Sequence, residues 1–219
     1  MDKLRLRFSK TGRAVYISHL DLMRTMQRSF LRAGYQLKYS EGFNPHAQIA
    51  IALPLSVGTE SLCELMDFRL EGEPDLAVLP AALTAKMPEG LEALEAYEPA
   101  HKASEIKWLK VSSVFEYDDR PLDAMAEKLN EFYSRESIVI TKRTKRGEGE
   151  SDIRPAIREI SFTPGPGGVE TSMLVSAQEP TLNPELTADA LRQLAPDIAP
   201  DFAKFRRIET YSADMGIFR

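Results

Sequence analysis

Lys3-Leu-Arg-Leu-Arg-Phe8 alternates polar and apolar side chains, and one short turn later the chain switches to helical spacing. Period two marks a half-buried strand with Leu4, Leu6 and Phe8 inward. After Thr11-Gly12, Ser18-His-Leu-Asp21 has the form of a capping box: the Ser18 hydroxyl accepts from the Asp21 amide and the Asp21 carboxylate reaches back. Leu22, Met23, Met26 and Phe30 supply one apolar stripe, and Gly34 is a natural residue to end the helix. A strand that hands over this early to a capped amphipathic helix points to an α+β unit.

The same punctuation continues. Residues 35–39 read as a strand, Ser40-Glu-Gly-Phe-Asn-Pro-His46 as a turn-rich loop, and 48–53 as a short apolar strand stopped by Pro54. Residues 62–70 form another strand, 75–86 a helix after Pro74, and 91–97 a closing strand. The order is β-α-β-β-α-β, with 48–53 and 62–70 allowed as arms of one long bent element. The second half repeats it at the level of elements: a strand over 107–117, a helix over 121–133, a β-branched strand over 137–142 opening a hairpin, strands over 153–163 and 169–177 around Pro164-Gly-Pro-Gly-Gly168, a helix over 184–194 capped by Asn183, and a last strand over 202–211. With 219 residues, two units of about a hundred each are expected, 1–100 and 104–219, joined over 99–104. The expected fold is α+β, a tandem of ferredoxin-like domains with antiparallel sheets.

A net charge of -5 would argue against nucleic acid, but it averages two unlike blocks. Residues 1–46 carry nine Lys or Arg against Asp2, Asp21 and Glu41, a net of +6, and 47–100 carry two against ten acids, a net of -8. A second basic cluster, Lys142, Arg143, Lys145 and Arg146, is followed by Arg154 and Arg158. No apolar run approaches the roughly 18 residues of a membrane span, and the start lacks the apolar region of a signal peptide, so a soluble, cytoplasmic protein with no membrane partner is expected. Cys63 is the single cysteine and His19, His46 and His101 the only histidines. No metal site and no cofactor of its own are expected, and cluster chemistry would have to come from a partner. The chain has no phosphate loop ending in Lys-Ser/Thr, no His-Glu-x-x-His and no Gly-x-Ser-x-Gly.

Two segments flanking the first helix carry the candidate chemistry. Tyr16, Ser18 and His19 stand at its start, where the positive end of the helix dipole suits an anion or a neutral imidazole in proton transfer. Tyr39, Phe43, Asn44 and His46 combine rings that could stack on a base with groups that could hydrogen-bond its edge, although a loop whose Gly, Asn and Pro merely shape a turn fits the same residues about as well. Arg24, Arg28 and Arg32 fall at i, i+4, i+8, the footprint of a phosphate backbone along a helix, although a solvated helix face would carry the same pattern. Lys142, Arg143, Lys145, Arg146 and Arg154 would give a second RNA contact on a basic hairpin arm. Trp108 could stack on a base or simply pack, and His19 or His46 could serve a metal-independent RNA cleavage.

At Arg7-Phe8-Ser9-Lys10-x-Gly12, Tyr16-Ile-Ser-His-Leu-Asp-Leu-Met-Arg24, Tyr39-Ser-Glu-Gly-Phe-Asn-Pro-His46, Ala52-Leu-Pro-Leu-x-x-Gly58 and Asp152-Ile-Arg-Pro155, the chain resembles the radical-SAM-linked family of unknown function. Members are encoded beside, or fused to, a radical S-adenosylmethionine protein. The resemblance implies an accessory that binds tRNA or rRNA and presents it to such an enzyme, here acting in trans. The Ser-His-Leu-Asp helix start and the Gly-Phe-Asn-Pro-His loop are more distantly similar to the tandem ferredoxin-like CRISPR repeat-processing ribonucleases. Their glycine-rich C-terminal loop has no counterpart in Tyr211-Ser-Ala-Asp-Met-Gly216. Three roles follow as expectations: RNA presentation, endoribonuclease activity, or docking to the radical enzyme without RNA contact.

Overall fold

A computed structural model describes residues 3–144 and 147–219. The chain divides into two compact units, one ending at Ala103 and the other running from Ser104 to Phe218. Both are mixed α+β with antiparallel strands.

The first unit contains β1 (Leu4–Lys10), a 3-10 turn (Gly12–Tyr16), α1 (His19–Arg32), β2 (Ile49–Ala52), β3 (Glu60–Phe68), α2 (Leu79–Thr84) and β4 (Leu91–Tyr97). Its strands lie in the order β4-β1-β3-β2, with Leu4 opposite Phe68, Lys10 opposite Leu91, and Ile49 opposite Phe68. Leu4, Leu6, Phe8, Met66 and Phe68 meet Leu22, Met26 and Phe30 of α1 and Leu79 and Leu83 of α2 in one apolar core. The rings of Phe30 and Phe68 pack with centroids 5.0 Å apart. Three residues of the stripe read from the sequence, Leu22, Met26 and Phe30, are therefore the buried face of α1, while Met23 is only half-buried beside it. Its end is a complete Schellman closure: Gly34 at φ 86 donates to Leu31 and Tyr35 donates to Phe30.

Three local readings change. Residues 35–39 make only isolated bridges, Leu37 to Leu70 and Tyr39 to Ala47: Lys38 N donates to Arg69 O and Lys38 O accepts from Gln48 N, so the segment divides its few bonds between the chain after β3 and the chain before β2. β2 and β3 are paired neighbours rather than arms of one bent strand, since Leu53 at φ 48 and Gly58 at φ 95 reverse the chain between them. α2 is shorter than 75–86 because Pro80 fits only the first turn of a helix, while Asp75 caps a separate turn by accepting from Ala77.

The other face of β1 is also buried, against the sequence reading of a half-buried strand. Arg5 is fully buried and donates from Nε to Asp67 Oδ1 at 2.7 Å and from Nη2 to Asp67 Oδ2 at 3.3 Å, with His101 O accepting at 3.1 Å. Asp67 also meets Lys3. Arg5 stands opposite Asp67 in the β1–β3 ladder, so the ion pair and the register are one feature.

The second unit contains β5 (Trp108–Glu116), α3 (Leu122–Tyr133), β6 (Val139–Thr144), β7 (Gly147–Asp152), β8 (Ile157–Gly165), β9 (Gly168–Ser176), α4 (Leu186–Leu194) and β10 (Phe202–Tyr211). Its sheet runs β10-β5-β9-β8, and β6 and β7 pair separately as an arm between α3 and β8. Phe115, Leu129, Tyr133, Phe162, Met173 and Leu191 are buried. Asn130 ties α3 to β8, donating to Phe162 O at 2.8 Å and accepting from Phe162 N at 3.1 Å. At the start of α4, Asn183 accepts from Glu185, but Glu185 itself occupies the N-cap position.

The arm is anchored at its base and along β6. Asp152 accepts from the amides of Ile138 at 2.9 Å and Arg154 at 3.0 Å. Gln193 of α4 mimics a neighbouring strand, accepting from Thr141 N at 2.9 Å and donating to Thr141 O at 3.2 Å. The Ile138 amide first, then that of Arg154, hold the Asp152 carboxyl below the ordinary carboxylate range.

Two predictions follow from these anchors. Asp67→Ala strands the Arg5 charge and should cost about 3–5 kcal/mol in chemical denaturation, whereas Arg5→Met with Asp67→Leu should cost far less. A lowered folded pKa means that the Asp152 contribution is present above the ordinary carboxylate range and is lost as pH falls through the folded value. Hydrogen exchange at the Ile138 amide should therefore speed up with acid beyond its intrinsic pH dependence, and Asp152→Asn should remove that excess.

Candidate nucleic-acid interface

Three of the sequence motifs converge at the Lys10 end of the first sheet. The 3-10 turn that follows β1 is clamped through its Val15 carbonyl, which accepts from Gly58 N at 2.9 Å and from the buried Lys10 ammonium at 3.1 Å. Glu60 accepts from Gly12 N at 3.2 Å, and Thr11 N donates to Gly90 O at 2.8 Å. A Cβ on Gly90 would stand 2.3 Å from the Thr11 carbonyl oxygen, and the φ of 89 there is one that side chains rarely adopt. Burial lowers the Lys10 pKa and the Glu64 carboxylate opposes that shift. Lys10, Gly58 and Gly90 were not among the sequence-predicted site residues. The signal for the first two lay in the quoted motifs, but only the fold shows what they hold.

This clamp sets Tyr16, which leaves 74% of its surface exposed, and the start of α1. Ser18 is the N-cap, its Oγ accepting from Asp21 N at 3.2 Å. The Asp21 carboxylate accepts from the Ser18 hydroxyl at 2.8 Å, not from the Ser18 amide that a full capping box would use, and from Arg24 Nη1 at 3.1 Å. The Ser18 hydroxyl and then Arg24 keep its pKa low. His19 occupies the first helical position and is exposed.

Arg24, Arg28 and Arg32 are all exposed along α1. Arg24 is partly neutralised by Asp21, whereas no carboxylate stands three or four residues from Arg28 or Arg32 in the sequence. Leu20 and Leu31 share the outward side of the helix, at 65% and 73% exposure.

The segment from Tyr39 to Ala47 is a closed arm. Ser40 N donates to His46 O at 2.9 Å, His46 N donates to Ser40 Oγ at 3.1 Å, and the same hydroxyl meets His46 Nδ1 at 2.9 Å. Gln48 Nε2 adds a bond to Tyr39 O at 3.1 Å. At its tip Phe43 has a relative exposure of 112%, and Asn44 and His46 are exposed beside it.

These residues do not form one pocket. The arm's base adjoins Ile49, level with Leu4 and Phe68, whereas Tyr16 and His19 follow Lys10 at the other end of β1. Six strand steps separate those ends, about 20 Å, and α1 is about as long. His19 and His46 therefore cannot serve one reaction centre as acid and base. Among the described residues no group of His, Cys, Asp or Glu is placed to hold a metal ion.

The second predicted contact falls on the β6–β7 arm and the segment after it. Lys142 and Arg143 lie in β6, while Lys145 and Arg146 fall outside the described residues. Arg154 is a structural clasp: Nε donates to Arg135 O at 3.1 Å and Nη1 to Ile157 O at 2.6 Å. With Asp152 beside it, the Asp-Ile-Arg-Pro motif closes the base of the arm. The Arg158 guanidinium covers the Trp108 ring at 5.3 Å, so that ring packs against a side chain of its own unit.

No helix among the described residues is long and apolar enough to cross a membrane. In comparisons with known proteins, a chain of a Cbf5-Nop10-Gar1 complex is similar at a TM-score of 0.50 and 12% identity. The alignment covers 94% of this chain and 48% of that one, so this chain spans about half its length, and the likeness concerns the fold alone. An unknown protein from Galdieria sulphuraria aligns over 94% of this chain and 97% of its own, at 7% identity and a TM-score of 0.28. The acetolactate synthase small subunit from Thermotoga maritima aligns over 97% and 98%, at 9% and 0.27. None of the curated proteins matches. The family whose pattern does match, over residues 3–184, is described as an uncharacterized protein conserved in bacteria, DUF2344, and the chain belongs to that family.

Proposed function

We propose that this protein is an RNA-binding accessory, built of two ferredoxin-like units, that holds tRNA or rRNA for a radical S-adenosylmethionine enzyme acting in trans. The observation that carries the RNA contact is the arginine row of α1. Like charges at i and i+4 destabilise a helix by roughly 0.2–0.5 kcal/mol per pair, and Arg28 and Arg32 have no carboxylate at helical spacing to offset it. A solvated face gains nothing from such an arrangement, whereas a phosphate backbone neutralises it.

The layout supports the same reading. Tyr16 and His19 lie at one end of α1 and the Phe43 arm springs from the other, so the candidate contacts are strung along a helix length. A polymer can follow such a track; a small substrate cannot span it. A ribonuclease would have to work with one imidazole at a time. The radical enzyme enters through the resemblance of the motifs, three of which meet at the Lys10 end of the first sheet.

A second reading, docking to the radical enzyme without RNA, is favoured by one observation: Leu20 and Leu31 are exposed beside the arginines. Under that reading, Leu20→Ala with Leu31→Ala abolishes co-purification with the enzyme after nuclease treatment and leaves RNA affinity unchanged.

Under the RNA reading, Arg28→Ala and Arg32→Ala each weaken binding and each reduce the slope of log affinity against log salt by about 0.7–0.9. Fluorescence anisotropy between low and moderate salt reads both quantities. An affinity insensitive to salt, or a slope unchanged by both substitutions, contradicts the proposal.

A further inference from the structure

From the closed arm between Tyr39 and Ala47 we infer that Phe43 captures an unpaired base, so that the RNA bound by the first unit is a loop or a single strand rather than a duplex. This rests on the RNA reading above and adds the class of RNA to it.

Phe43 is exposed at 112%, so neither face of its ring is covered by the chain. An aromatic ring held this way contributes nothing to the core, and both faces remain open for stacking. The arm that holds it is not a loose loop. The Ser40 hydroxyl joins both the main chain and the ring of His46, Ser40 and His46 pair through their main chains, and Gln48 braces Tyr39. Pro45 restricts the backbone beside the tip, and the base of the arm is anchored by the buried Leu37 and Ala47. A ring presented on so constrained a support loses little freedom on binding.

The charge around the tip selects the part of the nucleotide that is met. Glu41, exposed in the arm, repels a phosphate, while the arginine row supplies the phosphate contacts on α1. The tip therefore meets the base, whose edge is within the chemistry of the Asn44 amide and of His46, its Nδ1 occupied by Ser40 and Nε2 on the other side of the ring. Inside a duplex the base faces are stacked and the A-form major groove is closed to side chains, so a ring that needs a free face selects unpaired nucleotides.

The test uses the full chain and three fluorescein-labelled RNAs of matched composition: a short single strand, a stem with an open loop, and a blunt duplex. Phe43→Ala should weaken binding to the single strand and the loop by roughly 5- to 150-fold, with duplex binding and the salt slope unchanged. Phe43→Trp should restore it, and 2-aminopurine in the loop should be quenched by the wild type and not by Phe43→Ala. A Phe43→Ala protein that binds strand and loop like the wild type, or that loses duplex binding equally, overturns base capture while an arginine-dependent salt slope keeps the RNA reading. If the wild type binds none of the three RNAs, the RNA reading falls and base capture falls with it. Because Phe43 packs against nothing, a folding defect cannot mimic the expected result; thermal melting of Phe43→Ala should match the wild type.

Discussion

A guanidinium buried in a folded protein needs acceptors for its donors and is best met by a carboxylate, and the pair Arg5–Asp67 sets the framework of the first unit. Both are buried and stand opposite each other in the β1–β3 ladder, so sliding either strand by one residue would leave a buried charge unmatched. With that register fixed, Leu4, Leu6 and Phe8 face the helices, β4 aligns with β1, and the chain leaving Lys10 enters the 3-10 turn at one height. Everything placed by that turn, from Tyr16 to the start of α1, inherits the constraint.

The pair also changes the meaning of the charge pattern. The basic first block and the acidic block after it meet across β1 and β3, where Arg5 pairs with Asp67 and the Lys10 ammonium feels the Glu64 carboxylate. Part of the sequence asymmetry is consumed inside the unit. What reaches solvent from the first block is a shorter set, above all Arg13, Arg24, Arg28 and Arg32, and three of these lie along one helix. The electrostatic case for RNA is narrower than the net +6 of residues 1–46 suggests, and better localised.

How far the residues announced this differs from feature to feature. The cap at Ser18, the buried positions Leu22, Met26 and Phe30 and the stop at Gly34 are local, and each is found where the pattern places it. The burial of Arg5 was illegible because its partner is 62 residues away and alternation alone assigns polar positions to solvent. The structural role of Arg154 was illegible for the same reason: the carbonyls that its guanidinium meets belong to Arg135 and Ile157, and no composition argument finds them. Residues 35–39 have the side chains of a strand but divide their few main-chain bonds between residues 69–71 and residues 47–48, and tertiary position overrides propensity there. The Tyr39 to Ala47 arm was legible as a turn. Its rigidity depends on the hydrogen bonds between Ser40 and His46, which a run of Gly, Asn and Pro does not disclose.

The two units share a device that their sequences hide. Each places an arm between its first helix and the next strand of its sheet, Tyr39 to Ala47 in one and β6–β7 in the other, the first tipped by Phe43 and the second basic in sequence. The central claim is that the first of these arms, together with α1, is an RNA-binding surface. Ultraviolet crosslinking of the full protein to bound RNA, followed by mass spectrometry of the crosslinked peptides, tests it most directly. The account predicts adducts on the peptide carrying Phe43 and on that carrying Arg28 and Arg32; adducts absent from both, while other peptides of the chain crosslink, would contradict it.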